Sequence, residues 1–163
     1  MDFNVGDQVI HWTFGPGEIV GVDKKCIDNQ TAQYYVFQTN ELTVWVPVAE
    51  QQGSLRYRAS QNKFKKLFEI LRSPGEELAE DRNLRKMQLA ERMGERRLES
   101  ICRVIRDLHA FSLKRKLSEQ DASVLERARK FLLEEWRITF SITSGEARQQ
   151  LDRLLESGSR SVN

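Results

Sequence analysis

The residues with chemically reactive side chains do not form a catalytic or metal-binding pattern in this sequence. The two cysteines, Cys26 and Cys102, lie 76 positions apart, and neither His11 nor His109 has a partner at metal-ligand spacing. The sequence contains no phosphate-binding glycine loop and no nucleophile elbow. We therefore predict that the protein is not an enzyme and that it has no catalytic residues, no metal and no cofactor.

Positive charge is concentrated in one part of the chain. The net charge is only +2, but residues 82–116 hold eleven basic and four acidic residues, a net charge of +7, whereas residues 73–81 hold four acidic and no basic residues. A cluster of cations favours phosphate contacts without base reading, although a solvated helix face is the alternative. The residues predicted to contact DNA are Arg82, Arg85, Lys86, Arg92, Arg96, Arg97, Lys114, Arg115 and Lys116.

The first part of the chain reads as β structure. Short runs of β-branched and aromatic residues are separated by Gly, Pro, Asn and Asp turns every 8–12 residues, with a hairpin tip at residues 28–30. We predict an α+β protein of two units, in which a five-stranded Tudor- or SH3-like barrel over residues 1–58 precedes a C-terminal all-α helical bundle.

The rest of the chain reads as about five helices, and Ser60, residues 118–121 and residues 143–146 have the pattern of helix N-caps. We expect a connecting helix and acidic linker over 59–80, a basic DNA-contacting domain over 81–157 and a flexible tail over 158–163. The helix from Ser60 to Arg72 fits either the start of the helical domain or a linker.

The helical spacing also predicts which side chains face the core. Leu84 and Met87 are apolar positions of a helix over about 80–93. In the next helix, positions 98, 101, 102, 105 and 108 form an apolar stripe, which directs Arg106 away from the core and places Asp107 where it can pair with Arg103. Trp136, on the longest helix, is predicted to be a core residue.

Several short motifs follow one another in a defined order in both halves of the chain. They are Phe3, Val5-Gly6-Asp7, Gly15-x-Gly17-x-Ile19, Tyr34-Tyr35-Val36, Leu42-Thr43-Val44, Val46-Pro47-Val48, Arg106-Asp107-Leu108, Leu117-Ser118 and Phe131-Leu132. With these motifs the chain resembles the CarD family of bacterial transcription regulators. The order of a barrel, a Leu-Thr-Val-x-Val-Pro strand, an Arg-Asp-Leu helix and a Leu-Ser helix start is more specific than the barrel pattern, which transcription-repair coupling factors share.

The resemblance implies binding rather than bond-making chemistry. In such proteins a strand of the barrel lies against the RNA polymerase β subunit. The helical domain contacts promoter DNA non-specifically at the upstream edge of the transcription bubble and modulates the stability of the open complex. It further implies a bacterial, cytoplasmic protein, for which we expect a monomer that does not associate with a membrane.

The polymerase-contacting residues implied by the resemblance are Lys24, Lys25, Thr43 and Trp45. Lys25 aligns with a basic position of the family, and Lys24 is its alternative. If Val44 and Val46 face inward, Trp45 is exposed at a place where several members carry a polymerase-contacting arginine. The alternative is that Trp45 packs under the helix from Ser60 to Arg72.

One departure from the family affects the predicted DNA contact. Members often carry a tryptophan that wedges into the minor groove where the chain enters the helical domain, and this sequence has Arg82 there, followed by Asn83 and Leu84. Three alternatives follow: Arg82 or Leu84 substitutes weakly for the tryptophan, the protein stabilises the open complex less, or it has another role at polymerase. A second hypothesis is an adaptor whose barrel binds polymerase and whose helices bind a protein instead of DNA.

Overall fold

A computed structural model describes residues 2–50 and 54–160. The chain divides into two compact units, residues 1–58 and residues 59–163. The first unit contains the strands β1 (Gln8–His11), β2 (Gly15–Ile27), β3 (Gln30–Gln38), β4 (Thr43–Pro47) and β5 (Leu55–Tyr57), with a 3₁₀ turn at Val48–Glu50. The second contains the helices α1 (Gln61–Arg72), α2 (Arg82–Gly94), α3 (Leu98–Ser112), α4 (Glu119–Phe140) and α5 (Ser144–Arg160). The predicted class, a Tudor-like β unit followed by a helical unit, is confirmed.

The β unit is one antiparallel sheet in the order β4-β3-β2-β1-β5. The predicted hairpin tip is present between β2 and β3, where Asp28 and Asn29 both have positive φ angles. Two consecutive residues of that conformation match the right-handed twist of the flanking strands. The register shifts between Ile19 and Gly21, which marks a β-bulge. The hairpin continues as a two-stranded ribbon to its tip.

The core of the β unit consists of Phe3, Val9, Ile19, Tyr35, Phe37, Val46 and Leu55. Gly17 allows β2 to pass close to β3, because a Cβ there would lie only 2.5 Å from the Gln38 carbonyl oxygen and 2.6 Å from the Phe37 ring. The Tyr35 hydroxyl accepts a hydrogen bond from the Phe3 backbone N–H at 3.1 Å. The core thus fixes which face of β3 and β4 points inward.

The predicted helix starts are confirmed by their side-chain caps. The Ser60 hydroxyl accepts from Lys63 N–H, Ser118 accepts from Asp121 N–H and Thr143 accepts from Glu146 N–H, each at 3.1 Å. Each cap satisfies a backbone donor that has no partner within the first turn of the helix.

Helix α3 is the centre of the helical unit and packs against α1, α2, α4 and α5. All five positions of the predicted apolar stripe are buried, and so is Val104. Trp136 is buried as predicted, in an aromatic cluster with Phe64, Phe68 and Phe140. The structure places α1 within this unit, where it packs on α3 and α5.

Two predictions about α3 are wrong. Arg106 is buried instead of facing away, and Asp107 pairs with Arg106 and Arg92 instead of Arg103. Asp107 is fully buried and accepts from Arg92 Nη1 at 2.6 Å, Arg106 Nε at 2.9 Å and the Glu76 backbone N–H at 2.9 Å. The reason is that a buried carboxylate needs several donors, and two arginines and a backbone amide provide them.

Residues 73–81 have no regular secondary structure but are held along the helical unit. Gly75 lies against α3, because a Cβ there would be 2.5 Å from the Ala110 Cβ, and Leu78 is buried. The Ala79 N–H donates to Gln88 Oε1 at 3.1 Å. The predicted acidic linker is therefore an ordered segment that packs against the helices of the second unit.

The C-terminal end also differs from the prediction. Helix α5 continues to Arg160, and Gly158 is buried, so a flexible tail beginning at residue 158 is wrong for residues 158–160. A Cβ at Gly158 would lie 2.8 Å from the Arg72 carbonyl oxygen, which explains why glycine allows the close approach of α5 to the end of α1. The remaining tail residues, 161–163, lie outside the described part of the chain.

Among residues 2–50 and 54–160, no helix combines the length and the apolar character needed to cross a bilayer.

Candidate polymerase- and DNA-binding surfaces

Strand β4 forms one edge of the sheet, with β3 as its neighbour. Val46 is buried and Val44 packs against the core, whereas Trp45 between them is 42% exposed. This is the alternation expected of a strand with one buried face. Thr43 is exposed and lies on the same face of β4 as Trp45. An edge strand offers backbone N–H and C=O groups that a partner strand can pair with.

The indole of Trp45 is held in place by residues of the neighbouring hairpin. Its Nε1 donates to Asp23 Oδ2 at 2.9 Å. The Lys25 Nζ lies 4.2 Å from the centre of the indole ring and 6.0 Å from that of Tyr34. A cation over an exposed aromatic ring contributes about 0.5–1 kcal/mol. The exposed indole is thus ordered before any partner arrives.

The sheet register explains why Lys25, and not Lys24, reaches Trp45. Lys25 is opposite Ala32 and Asp23 is opposite Tyr34, so alternation puts Lys25, Asp23 and Tyr34 on the face that carries Trp45. Lys24, opposite Gln33, is exposed on the other face of the ribbon. We call the group formed by the exposed Trp45, Asp23 and Lys25 and the half-buried Tyr34 the Trp45 face. It brings together two of the four predicted polymerase-contacting residues, with Thr43 alongside on β4.

The nine predicted DNA-contacting residues fall into three groups in the structure, and Arg85 forms the first alone. Arg85 is 4% exposed, and its Nε and Nη2 lie 3.0 and 2.9 Å from Asp121 Oδ2. Its Nη1 donates to the carbonyl oxygens of Ala79 and Glu80 at 3.0 Å. The prediction that Arg85 contacts DNA is therefore corrected, because its guanidinium is buried and its donors already have partners.

The pKa of the Asp121 carboxyl reflects its interaction with Arg85. Burial alone would raise its pKa, but the hydrogen bonds from Arg85 and Ser118 and the charge of Arg85 outweigh burial and lower the pKa below its ordinary value. Asp121 therefore stays ionised, so the pair remains charged at neutral pH.

The second group comprises three arginines that are engaged in ion pairs. Arg92 is mostly buried against Asp107. Arg97 and Arg115 are more than half exposed and pair with Glu99 at 3.4 Å and Glu80 at 2.8 Å. Exposed ion pairs contribute little stability, and a phosphate can replace the carboxylate in such a pair.

The third group comprises the exposed cations Arg82, Lys86, Arg96, Lys114 and Lys116. Arg82 and Lys86 are on the first turns of α2, and the two lysines are in the loop between α3 and α4. These regions meet at Arg85, whose guanidinium lies 4.8 Å from the Phe111 ring, and Arg115 approaches the same ring at 5.7 Å. The structure therefore brings the start of α2 next to the α3–α4 loop.

Helix α2 also presents two large apolar side chains on its exposed side. Leu84 and Met87 are 59% and 68% exposed, whereas Arg85 and Leu89 are buried. The helix turns its arginine side inward because buried carboxylates on α3 and α4 bind Arg92 and Arg85. A helix in which both Arg85 and Leu89 face inward leaves Leu84 and Met87 outside.

Two family models match the chain. One, described as the CarD-like/TRCF RID domain, covers residues 3–57, and the other, described as the CarD C-terminal domain, covers residues 66–152. The β unit is thus of the RNA-polymerase-interacting class that CarD-like proteins share with transcription-repair coupling factors. The chain as a whole belongs to the CarD family, whose members are non-enzymatic transcription factors.

Proposed function

We propose that the protein binds the β subunit of RNA polymerase through β4 and the Trp45 face and contacts promoter DNA through its helical unit. The DNA contact is made to phosphates at the upstream edge of the bubble, without sequence reading, and changes the lifetime of the open complex. A chain with this role works in the bacterial cytoplasm. One copy carries both surfaces, so a monomer suffices.

The observation that carries the proposal is the exposed indole of Trp45 on an edge strand of a polymerase-interacting unit. Tryptophan is one of the residue types most enriched at interface hot spots. Because Asp23 and Lys25 already fix the indole, little side-chain freedom is lost when a partner covers it.

The DNA contact is supported by the five exposed cations of the helical unit, which are Arg82, Lys86, Arg96, Lys114 and Lys116. Arg97 and Arg115 add to them when phosphate replaces their carboxylate partners. Five phosphate contacts give a slope of log affinity against log salt of roughly −4 to −5.

The family position of the wedging tryptophan is occupied by Arg82, the first residue of α2. Its exposed side chain is suited to a narrow minor groove, and the exposed Leu84 provides an apolar contact two residues later. Neither side chain has the area of an indole, so we expect weaker stabilisation of the open complex than a tryptophan would give.

A direct test is the binding of a forked upstream promoter fragment to the complete chain over a salt series. We expect Lys114→Ala/Lys116→Ala to reduce the salt slope by about two. The matched control is Arg148→Ala/Arg153→Ala, which removes two exposed cations from α5. Equal slopes for the wild type and the loop variant contradict DNA contact by the loop.

A protein-binding adaptor is the second candidate. It is favoured by the exposed pair Leu84 and Met87 and by Leu113, which is 63% exposed. Leu84 and Met87 are neighbours on one side of α2, and adjacent large exposed apolar side chains are typical of a protein-binding site. If polymerase binds the chain but promoter DNA adds no salt-sensitive affinity, this function replaces DNA contact for the helical unit.

A further inference from the structure

Arg85 joins three separate segments of the helical unit through one buried guanidinium. It donates to Asp121 near the start of α4 and to the carbonyl oxygens of Ala79 and Glu80 in the acidic segment before α2. It also lies against Phe111 in the last turn of α3. Among the described residues, Arg85 is the most deeply buried arginine, at 4% exposed.

Glu80 extends this arrangement to the protein surface. Its backbone carbonyl accepts from Arg85 Nη1 at 3.0 Å, while its carboxylate accepts from Arg115 Nη2 at 2.8 Å. Arg115 also lies on the Phe111 ring that Arg85 contacts. The α3–α4 loop is therefore connected to the buried guanidinium through both Glu80 and Phe111.

We propose that Arg85 is a positioning residue for phosphate binding. It holds Arg82 and Lys86 on α2 at a fixed spacing from Lys114 and Lys116 in the α3–α4 loop. This inference rests on the proposed function, because it concerns how the same exposed cations reach DNA. In this role the buried Arg85 does not touch DNA itself and acts through the exposed cations that it positions.

The physical basis is the shape of the guanidinium. It is planar and presents its N–H donors in a rigid fork, so its hydrogen bonds fix the direction of each partner. A lysine ammonium is a compact charge on a flexible stem and cannot donate in the same plane to Asp121, Ala79 and Glu80. Cations whose spacing is set before binding lose less conformational entropy when phosphates occupy them.

Arg85 also stabilises the fold, so the test must separate stability from positioning. A buried ion pair can often be replaced by apolar side chains of similar volume without loss of stability. The double substitution Arg85→Met/Asp121→Leu makes this change and removes the bonds to Ala79 and Glu80. We expect a midpoint of thermal unfolding near that of the wild type.

The measurements are the affinity of the complete chain for a forked promoter fragment and amide hydrogen exchange. We expect the double variant to bind DNA roughly 3- to 30-fold more weakly. Exchange should become faster in residues 79–81 and 113–117, while α5 keeps its protection. A double variant that retains the wild-type DNA affinity overturns the proposal, whatever its exchange rates.

A second comparison applies if the double variant does not fold. Arg85→Lys is then compared with Leu155→Ala, a substitution on α5 that destabilises the fold away from the exposed cations. If Arg85→Lys loses DNA affinity and Leu155→Ala does not, the result supports the positioning role. Equal losses in both variants overturn it.

If the wild type itself shows no salt-sensitive DNA affinity, the proposed DNA contact fails and this inference fails with it. If the wild type binds DNA with salt-sensitive affinity and the Arg85 variants bind equally well, the proposed DNA contact stands and only the positioning role is overturned.

Discussion

Asp23 on β2 and Trp45 on β4 are joined by a hydrogen bond of 2.9 Å that passes over the intervening strand β3. The bond holds an exposed indole in one orientation, and Lys25 lies over the ring from the same hairpin. The hairpin and the edge strand therefore form a single surface. A contact made by one of them depends on the position of the other.

The first prediction concerns Trp45. We expect Trp45→Ala to weaken binding to the isolated lobe of the RNA polymerase β subunit (the β lobe) by roughly 30-fold, as for an interface hot spot. Because the side chain is 42% exposed, the free energy of unfolding should change by no more than about 0.5 kcal/mol. Calorimetric titration and urea unfolding measure the two quantities.

Phe14→Ala is the matched control for Trp45→Ala, because Phe14 is 41% exposed and precedes β2 rather than lying on the Trp45 face. It should leave β-lobe affinity unchanged. Normal β-lobe binding by a Trp45→Ala variant that melts well below the wild type would show that Trp45 serves packing.

The second prediction concerns the close contact between Gly158 and the end of α1. Gly158→Ala should lower the free energy of unfolding by about 1–3 kcal/mol, because the new Cβ would be 2.8–2.9 Å from two backbone carbonyl oxygens. Gly145→Ala, at a position with space around the Cβ, should stabilise by about 0.4–1 kcal/mol. The free energies of unfolding of both variants are measured by urea unfolding. Equal changes for the two substitutions would contradict the close contact at Gly158.

The third prediction concerns His109. Burial, and next the charge of Arg129, lower its pKa below the ordinary value of 6.5 despite the opposing charges of Asp152 and Glu156. Between the folded-state pKa and 6.5 the unfolded chain binds more protons than the folded one, so stability falls as the pH decreases through this window. His109→Gln should flatten the dependence in the pH range just below 6.5, as measured by urea unfolding. An unchanged slope in the variant would assign the effect to other groups.

The fourth prediction concerns the thiols. Cys102 is fully buried, and burial raises the pKa of its thiol far above the ordinary value, whereas Cys26 is exposed. An aromatic disulfide reagent should therefore label one thiol in the native protein and two in denaturant. Labelling of both thiols of the native wild-type protein at the same rate would contradict the burial of Cys102.

The features that could be predicted from the sequence depend on short-range rules. Ser60, Ser118 and Thr143 were identifiable as caps because a cap involves residues only three positions apart. The outward direction of Trp45 follows from alternation along one strand. The order of the two units follows from the change from strand patterns to helix patterns along the chain, and the family resemblance agrees with it.

The features that could not be predicted depend on partners distant in sequence. Arg85 looks like any other cation of the basic segment until Asp121, 36 residues later, is placed beside it. Likewise, Leu84 and Met87 have apolar helical spacing, but the ion pairs of Arg85 and Arg92 decide which side of α2 is buried. A count of charges cannot distinguish a buried arginine from an exposed one.

The most direct test of the account is the lifetime of the promoter open complex, measured for every variant at the protein concentration at which the wild-type chain just saturates the polymerase. We expect the wild-type chain to change the lifetime, and Trp45→Ala and Lys114→Ala/Lys116→Ala each to return it toward the value for polymerase alone. The loop variant should do so while its β-lobe affinity stays normal. An open-complex lifetime that is the same with and without saturating wild-type protein would contradict the central claim.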